Sequence, residues 1–227
     1  SYIERWVNFA EENNLVVIAP AFSEENFSSK YGEITDKLTG YRGLFGKEIG
    51  ADEWVIRISN AYIPVFIGTE GKISLYGHSA GGQFTGRFLV THPELVDKAV
   101  ITAAATYPQP DSEVLWPFGM GDLKAEIHWD ENTIIPVEVY PDSQTWLEAT
   151  QVPLTVIVGL GDETEQPPRP GQDGHNRIMI ARNWLKDIQV FASQNRMGCV
   201  WTLDLIPGVG HGDSGLVPFA QQAMLSE

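Results

Sequence analysis

Tyr76-Gly77-His78-Ser79-Ala80-Gly81-Gly82 is the stretch whose reading decides the fold. Before it, Ile73-Ser74-Leu75-Tyr76 is a short apolar run that predicts a buried strand. After it, Gln83-Phe84-Thr85-Gly86-Arg87-Phe88-Leu89-Val90 predicts a helix. A serine with a glycine two residues away on each side, set between strand and helix, is the nucleophile-elbow pattern G-x-S-x-G. The spacing has a steric reason. The turn is so sharp that the serine backbone is strained, and a β-carbon at Gly77 or Gly81 is expected to strike the neighbouring strand or helix. The competing reading is a glycine-rich turn with a bystander serine. To be chemistry, the pattern needs a base and an acid later in the chain.

Working outward, apolar runs alternate with helical patterns. Ser1 to Asn14 places Ile3, Trp6, Val7 and Ala10 at helical spacing, and Leu15-Val16-Val17-Ile18-Ala19-Pro20 predicts a parallel strand covered on both faces. Residues 23–50 are polar and glycine-dotted and predict loop. A second helix is expected from Ala51 through Phe66, with Pro64 a point of kinking. Strands are expected at 72–76, 96–105, 153–159 and 200–206, and helices at 175–196 and 216–225. This order predicts one α/β domain over 1–227, with a mostly parallel central sheet and helices on both faces.

Residues 107–150 break the rhythm. They carry nine acidic side chains, one basic side chain (Lys124) and three tryptophans, with no sustained period. An insertion or lid-like segment is the expectation. Trp116, Phe118, Trp129 and Trp146 are its candidates for an apolar substrate pocket, along with His78 beside the serine; plain packing is the alternative.

In an open α/β sheet, reactive groups belong at the carboxyl ends of strands. Gly159-Leu160-Gly161-Asp162-Glu163 and Gly208-Val209-Gly210-His211-Gly212-Asp213 each follow a predicted strand. The chain order Ser79, Asp162, His211 is that of a nucleophile, its acid and its base. His211 would take the Ser79 proton, and Asp162 would hold the imidazole in the right tautomer. The Ala80 N–H, at a helix N-terminus, would donate to an oxyanion. Glu163 is the nearest rival acid, and Asp204 and Asp213 are weaker ones. His92, His128 and His175 suit surface or helix-end positions better. The acidic loop 162–175 matches no metal-ligand spacing, so no metal and no cofactor are expected.

The net charge of −15 argues against nucleic acid and against anionic substrates, and favours a neutral one. No apolar run is long enough to span a bilayer. The lone Cys199 excludes an intrachain disulfide and reads as a structural thiol. Nothing in the composition assigns a compartment or an oligomeric state.

With these residues placed, the chain resembles the α/β-hydrolase serine esterases related to poly(3-hydroxybutyrate) depolymerases and feruloyl esterases. The matching stretches are 14–20, Gly77 to Phe84, the turn at Asp162, the helix from His175 through Arg182, and Ile206 to His211. The resemblance implies cleavage of small or polymeric carboxylic esters without a cofactor, and carries the nucleophile onto Ser79, the acid onto Asp162 and the base onto His211. It also implies further strands upstream of Ser1 and a His-Gly-type loop there supplying the second oxyanion donor. Alternatives on the same triad are a peptidase, thioesterase or lactonase; another is a hydrolase-like binding protein of little activity.

Overall fold

Two apolar strands form the middle of the sheet: β2 (Val96–Thr102) and β5 (Leu154–Gly159). Most residues of both are buried, as expected of strands covered on two faces. β1 (Ile73–His78) pairs with β2, and β6 (Thr202–Ile206) pairs with β5, all parallel, in the order β1-β2-β5-β6. This is a computed structural model, and it describes residues 3–27, 40–67, 71–121, 126–128, 134–136 and 141–226. Its helices are α1 (Glu4–Glu12), α2 (Glu24–Phe27), α3 (Ala51–Ile67), α4 (Ala80–Thr91), α5 (Ser143–Ala149), α6 (Arg177–Gln194) and α7 (Asp213–Leu225). A small antiparallel pair, β3 (Glu126–His128) with β4 (Ile134–Pro136), lies apart from the main sheet.

Strand alternation sorts the core into two layers. Ile101, Val156 and Val158 face α4 and α6, where they meet Phe88, Leu89, Trp184 and Ile188. Val100 and Ile157 point the other way, toward Trp6 and Phe9 of α1 and Leu216, Val217 and Ala220 of α7. Helices therefore cover both faces, as expected. Because all four strands are parallel, their carboxyl ends share one edge of the sheet. Ser79 follows β1, Asp162 follows β5 and His211 follows β6 at that edge.

The structure corrects one of the expectations. Residues 15–20 form no strand, and Leu15, Val16, Val17 and Ile18 are exposed. Among the described residues no strand runs alongside them, so their backbone has no ladder to join. Within the expected insertion, several of the described side chains are buried. Trp116, Tyr107 and Phe118 are buried, and α5 packs Trp146, Leu147 and Ala149 inward. Cys199 is half-buried, and burial pushes its thiol pKa up, away from reactivity.

Arg87 ties the irregular segments to α4. It is fully buried, and among the described residues no carboxylate pairs with it. Its Nε donates to Pro117 O at 2.7 Å, Nη1 to Gln83 O at 3.0 Å and Arg42 O at 3.3 Å, and Nη2 to Thr106 Oγ1 at 3.1 Å. Burial, helped by the charge of Arg42, pulls its pKa down to about 9, so the group is still a cation at neutral pH. The planar fork of a guanidinium suits one cation to several divergent oxygens, which an ammonium cannot reach together. Arg87→Met leaves these acceptors without their donor. The expected loss is roughly 2–4 kcal/mol of unfolding free energy, read from urea denaturation; a loss under about 0.5 kcal/mol would show that the oxygens find other partners.

Candidate active site

The turn from β1 into α4 is governed by crowding. A β-carbon on Gly77 would sit 2.2 Å from Gly81 O and 2.5 Å from Thr85 Oγ1. One on Gly82 would sit 2.9 Å from Ile101 Cγ2. Gly81 differs from the expectation: a β-carbon there meets nothing within 4 Å, because that side of the helix's first turn is open. The crowded glycines are 77 and 82. Between them the chain must reverse within one residue, and Ser79 takes φ 51° and ψ −108°. For a non-glycine residue this conformation costs roughly 1–3 kcal/mol. It is held from both sides: Ser79 N–H donates to Thr102 O at 2.7 Å, and Ser79 O accepts from Gln83 N–H at 3.1 Å. α4 begins at Ala80, so the Ala80 amide belongs to the first-turn N–H groups that have no acceptor within the helix.

Asp162 and His211 sit on two loops stitched together. A β-carbon on Gly159, the last residue of β5, would lie 2.2 Å from Val209 O, so only glycine lets the loop after β6 come this close. Leu160 N–H donates to Ile206 O and Gly161 N–H to Val209 O. This brings the His211 Nδ1 to 2.8 Å from Asp162 Oδ2. The Asp162 side chain is wholly buried, whereas that of His211 is 39% exposed. A buried acid behind an imidazole that opens to solvent is the polarity a base needs. The second carboxylate oxygen, Oδ1, accepts from Arg177 Nη1 at 2.9 Å. Among the described residues no hydrogen bond joins Ser79 Oγ to the His211 ring; such bonds are often long before substrate binds.

His78 lies in the same place. Its ring stands 5.2 Å from that of His211, and its Nδ1 is 2.9 Å from Thr102 Oγ1. Of the aromatic candidates, Trp116, Phe118 and Trp146 are described. Trp116 is buried and donates from Nε1 to Gly43 O, and Trp146 is buried against Trp201 and Phe191. Phe118 is also buried, on the segment that Arg87 holds. Trp129 and the His128 side chain lie outside the described residues. Glu163 and Asp204 are exposed, and Asp162 is the carboxylate that meets the base. The donor expected upstream of Ser1 is likewise outside what the structure describes. Among the described residues no group of three or more His, Cys, Asp or Glu is arranged to hold a metal ion.

Sequence reading missed Thr102, Tyr107 and Arg177. Tyr107 is buried under Trp184, and its hydroxyl has no hydrogen-bond partner among the described residues. Burial raises its pKa well above the usual phenol value, the Asp162 charge pushes the same way and Arg177 opposes it. The one available signal for Arg177 was a basic residue opening a helix, where acidic residues are the rule.

Two solved structures are similar to this chain over nearly its whole length. A poly(aspartic acid) hydrolase-1 from Sphingomonas sp. KT-1 matches 97% of this chain and 81% of its own, with 22% identity and a TM-score of 0.74. LpqC, a poly(3-hydroxybutyrate) depolymerase from Bordetella parapertussis, matches 99% of this chain and 73% of its own, with 22% identity and a TM-score of 0.75. The fold is that of the α/β hydrolases. An S-formylglutathione hydrolase from Agrobacterium tumefaciens shares it more distantly, at 15% identity and a TM-score of 0.52, over 97% of this chain and 74% of its own. No protein-family model and no curated protein sequence matches the chain.

The two glycines of the serine turn should separate in a stability test. Gly77→Ala puts a methyl group against backbone and should cost about 2 kcal/mol or more. Gly81→Ala has open space on a helix and should be neutral or stabilising by up to about 1 kcal/mol. Urea unfolding of the two variants checks this, and equal effects would contradict the crowding described here.

Proposed function

We propose that this chain is a serine hydrolase that cleaves neutral carboxylic esters through an acyl-enzyme, with Ser79 as nucleophile, His211 as base and Asp162 as its orienting acid. The observation that carries the reading is the buried Asp162 carboxylate 2.8 Å from the imidazole of a half-open His211, on the sheet edge that also bears the strained Ser79. Strain at a turn is tolerated where function needs the side chain presented outward. The likeness to hydrolases of the same fold supports the reaction class.

The steps follow from the groups. His211 Nε2 takes the Ser79 hydroxyl proton as Oγ bonds to the ester carbonyl carbon. The carbonyl electron pair moves onto oxygen, and the Ala80 N–H donates to that oxyanion. The tetrahedral species collapses, the alkoxide leaves with the proton from His211, and the acyl group remains on Ser79. Water then attacks the acyl carbon with His211 again as base, and the carboxylate leaves as Ser79 recovers its proton. Asp162 stays ionised and balances the imidazolium.

The substrate class rests on charge. One of the structural neighbours is named for a polymer of aspartic acid, which is polyanionic. A chain of net charge −15 repels such a polymer at long range. A neutral ester, small or polymeric, meets no such barrier. An amide, thioester or lactone on the same triad is the second reading, and matched ester, thioester and amide substrates separate them.

Ser79→Ala should abolish turnover of a short p-nitrophenyl ester and labelling by a fluorophosphonate while leaving the circular dichroism spectrum intact. Wild-type turnover in that variant would end the proposal.

A further inference from the structure

The proposed triad accounts for one oxygen of Asp162; the other is held by Arg177, and Arg177 is an unusual residue to find there. It is the first residue of α6, directly after the Asn176 N-cap, whose side chain accepts from Met179 N–H at 3.0 Å. A cation at this end of a helix faces the positive pole of the helix dipole, which is unfavourable. Its side chain is only 12% exposed, so it has also lost most of its water. Its Nε is buried with no hydrogen-bond partner among the described residues. Each of these is a cost, and the contact that offsets them is the 2.9 Å ion pair with Asp162 Oδ1.

We propose that Arg177 is a positioning residue for the catalytic pair: it clamps Oδ1 so that the Asp162 carboxylate can present only Oδ2 to His211. The claim rests on the triad reading above. A carboxylate held at one oxygen can still swing about its Cβ–Cγ bond. Held at both, its plane is set, and with it the direction of the imidazole. Among the described residues no other side chain holds Oδ1. The Asp162 amide is committed to Gly159 O, and the hydroxyl of the neighbouring Tyr107 makes no hydrogen bond within the described residues. The clamp also explains the loop that delivers Arg177. Gln166 N–H donates to His175 O at 2.7 Å, and Glu165 bridges to Asn176, so the proline-rich turn after Asp162 is folded back to bring the start of α6 onto the acid.

The test uses the intact chain with p-nitrophenyl ester turnover, fluorophosphonate labelling rates and thermal melts. Arg177→Met should lower kcat roughly 10- to 100-fold, the scale on which small misplacements act, with KM changed less than about threefold. Arg177→Lys, which restores a cation in reach of Oδ1, should recover most of the loss. In an Asp162→Asn background, Arg177→Met should slow labelling less than about threefold further, since the clamp then has no carboxylate to hold. A merely structural ion pair would lower the melting temperature and leave kcat of the folded enzyme alone. The proposal is overturned if Arg177→Met stays within twofold of wild-type kcat, if Arg177→Lys recovers nothing, or if the two losses multiply in the double variant. Should Arg177→Met fail to fold, Arg177→Gln is judged by the same criteria. Ser79→Ala run alongside separates the two levels: if it is inactive while Arg177→Met is normal, the clamp fails and the triad stands; if it is active, the triad reading itself fails.

Discussion

The distance between β1 and α4 is the constraint on which the rest of this site depends. Gly77 and Gly82 let strand and helix approach until no β-carbon fits between them, and that closeness leaves a single residue to reverse the chain. Ser79 absorbs the reversal with a positive φ. Strain of roughly 1–3 kcal/mol is small beside the burial that enforces it. Phe88, Leu89 and Ile101 behind the turn are each fully buried, so the helix cannot retreat to relieve the serine without opening the core. The placement of the serine is a consequence of packing several residues away from it.

A similar device brings the other two groups together. Gly159 permits contact between the turn after β5 and the loop after β6, and two backbone hydrogen bonds fasten them. Because β5 and β6 are adjacent and parallel, Asp162 and His211 emerge side by side although 49 residues separate them in the chain. β1 lies two strands away from β5, with β2 between. The span from Ser79 to the acid–base pair is therefore fixed by the width of β2, whose Thr102 accepts from the Ser79 amide and stands against His78.

What the sequence made legible follows from how local each signal is. The serine turn, the Asp162 turn and the His211 loop each carry their glycines within a few residues, and the order of strands and helices is written in alternating apolar runs. The sheet edge that gathers them could be read from that order. Other features depended on long-range partners. Leu15 to Ile18 have the composition of a buried strand, but a strand exists only where a neighbour pairs with it. For Trp116 and Trp146 the sequence left pocket and plain packing both open, because burial cannot be read from residue type; both are buried in the core. Gly81 was assigned a steric role that belongs to Gly82, since a one-residue shift on a helix turns a β-carbon by about 100°. Arg177 was invisible because the partner that explains it lies across a loop and a turn.

Arg87 and Arg177 show why the placement of charge matters more than its sum. The chain carries −15 overall, a field that opposes negative charge developing anywhere on it. Arg177 is neutralised locally by Asp162, so the acid–base pair adds little net field of its own beyond the imidazole. Arg87 is different: its acceptors are neutral oxygens, so its full positive charge remains, shielded from water, on the helix that begins at Ala80. About 1.5 Å of rise per residue puts it roughly 10 Å along α4 from that N-terminus. At an effective dielectric near 20, a unit charge at that distance contributes on the order of 1–2 kcal/mol toward an oxyanion. The helix dipole adds in the same direction. In a strongly acidic protein this contribution opposes the overall field at the turn where the proposed chemistry gathers negative charge, and it comes from a residue that also ties the segments of Arg42 and of Thr106 and Pro117 to α4.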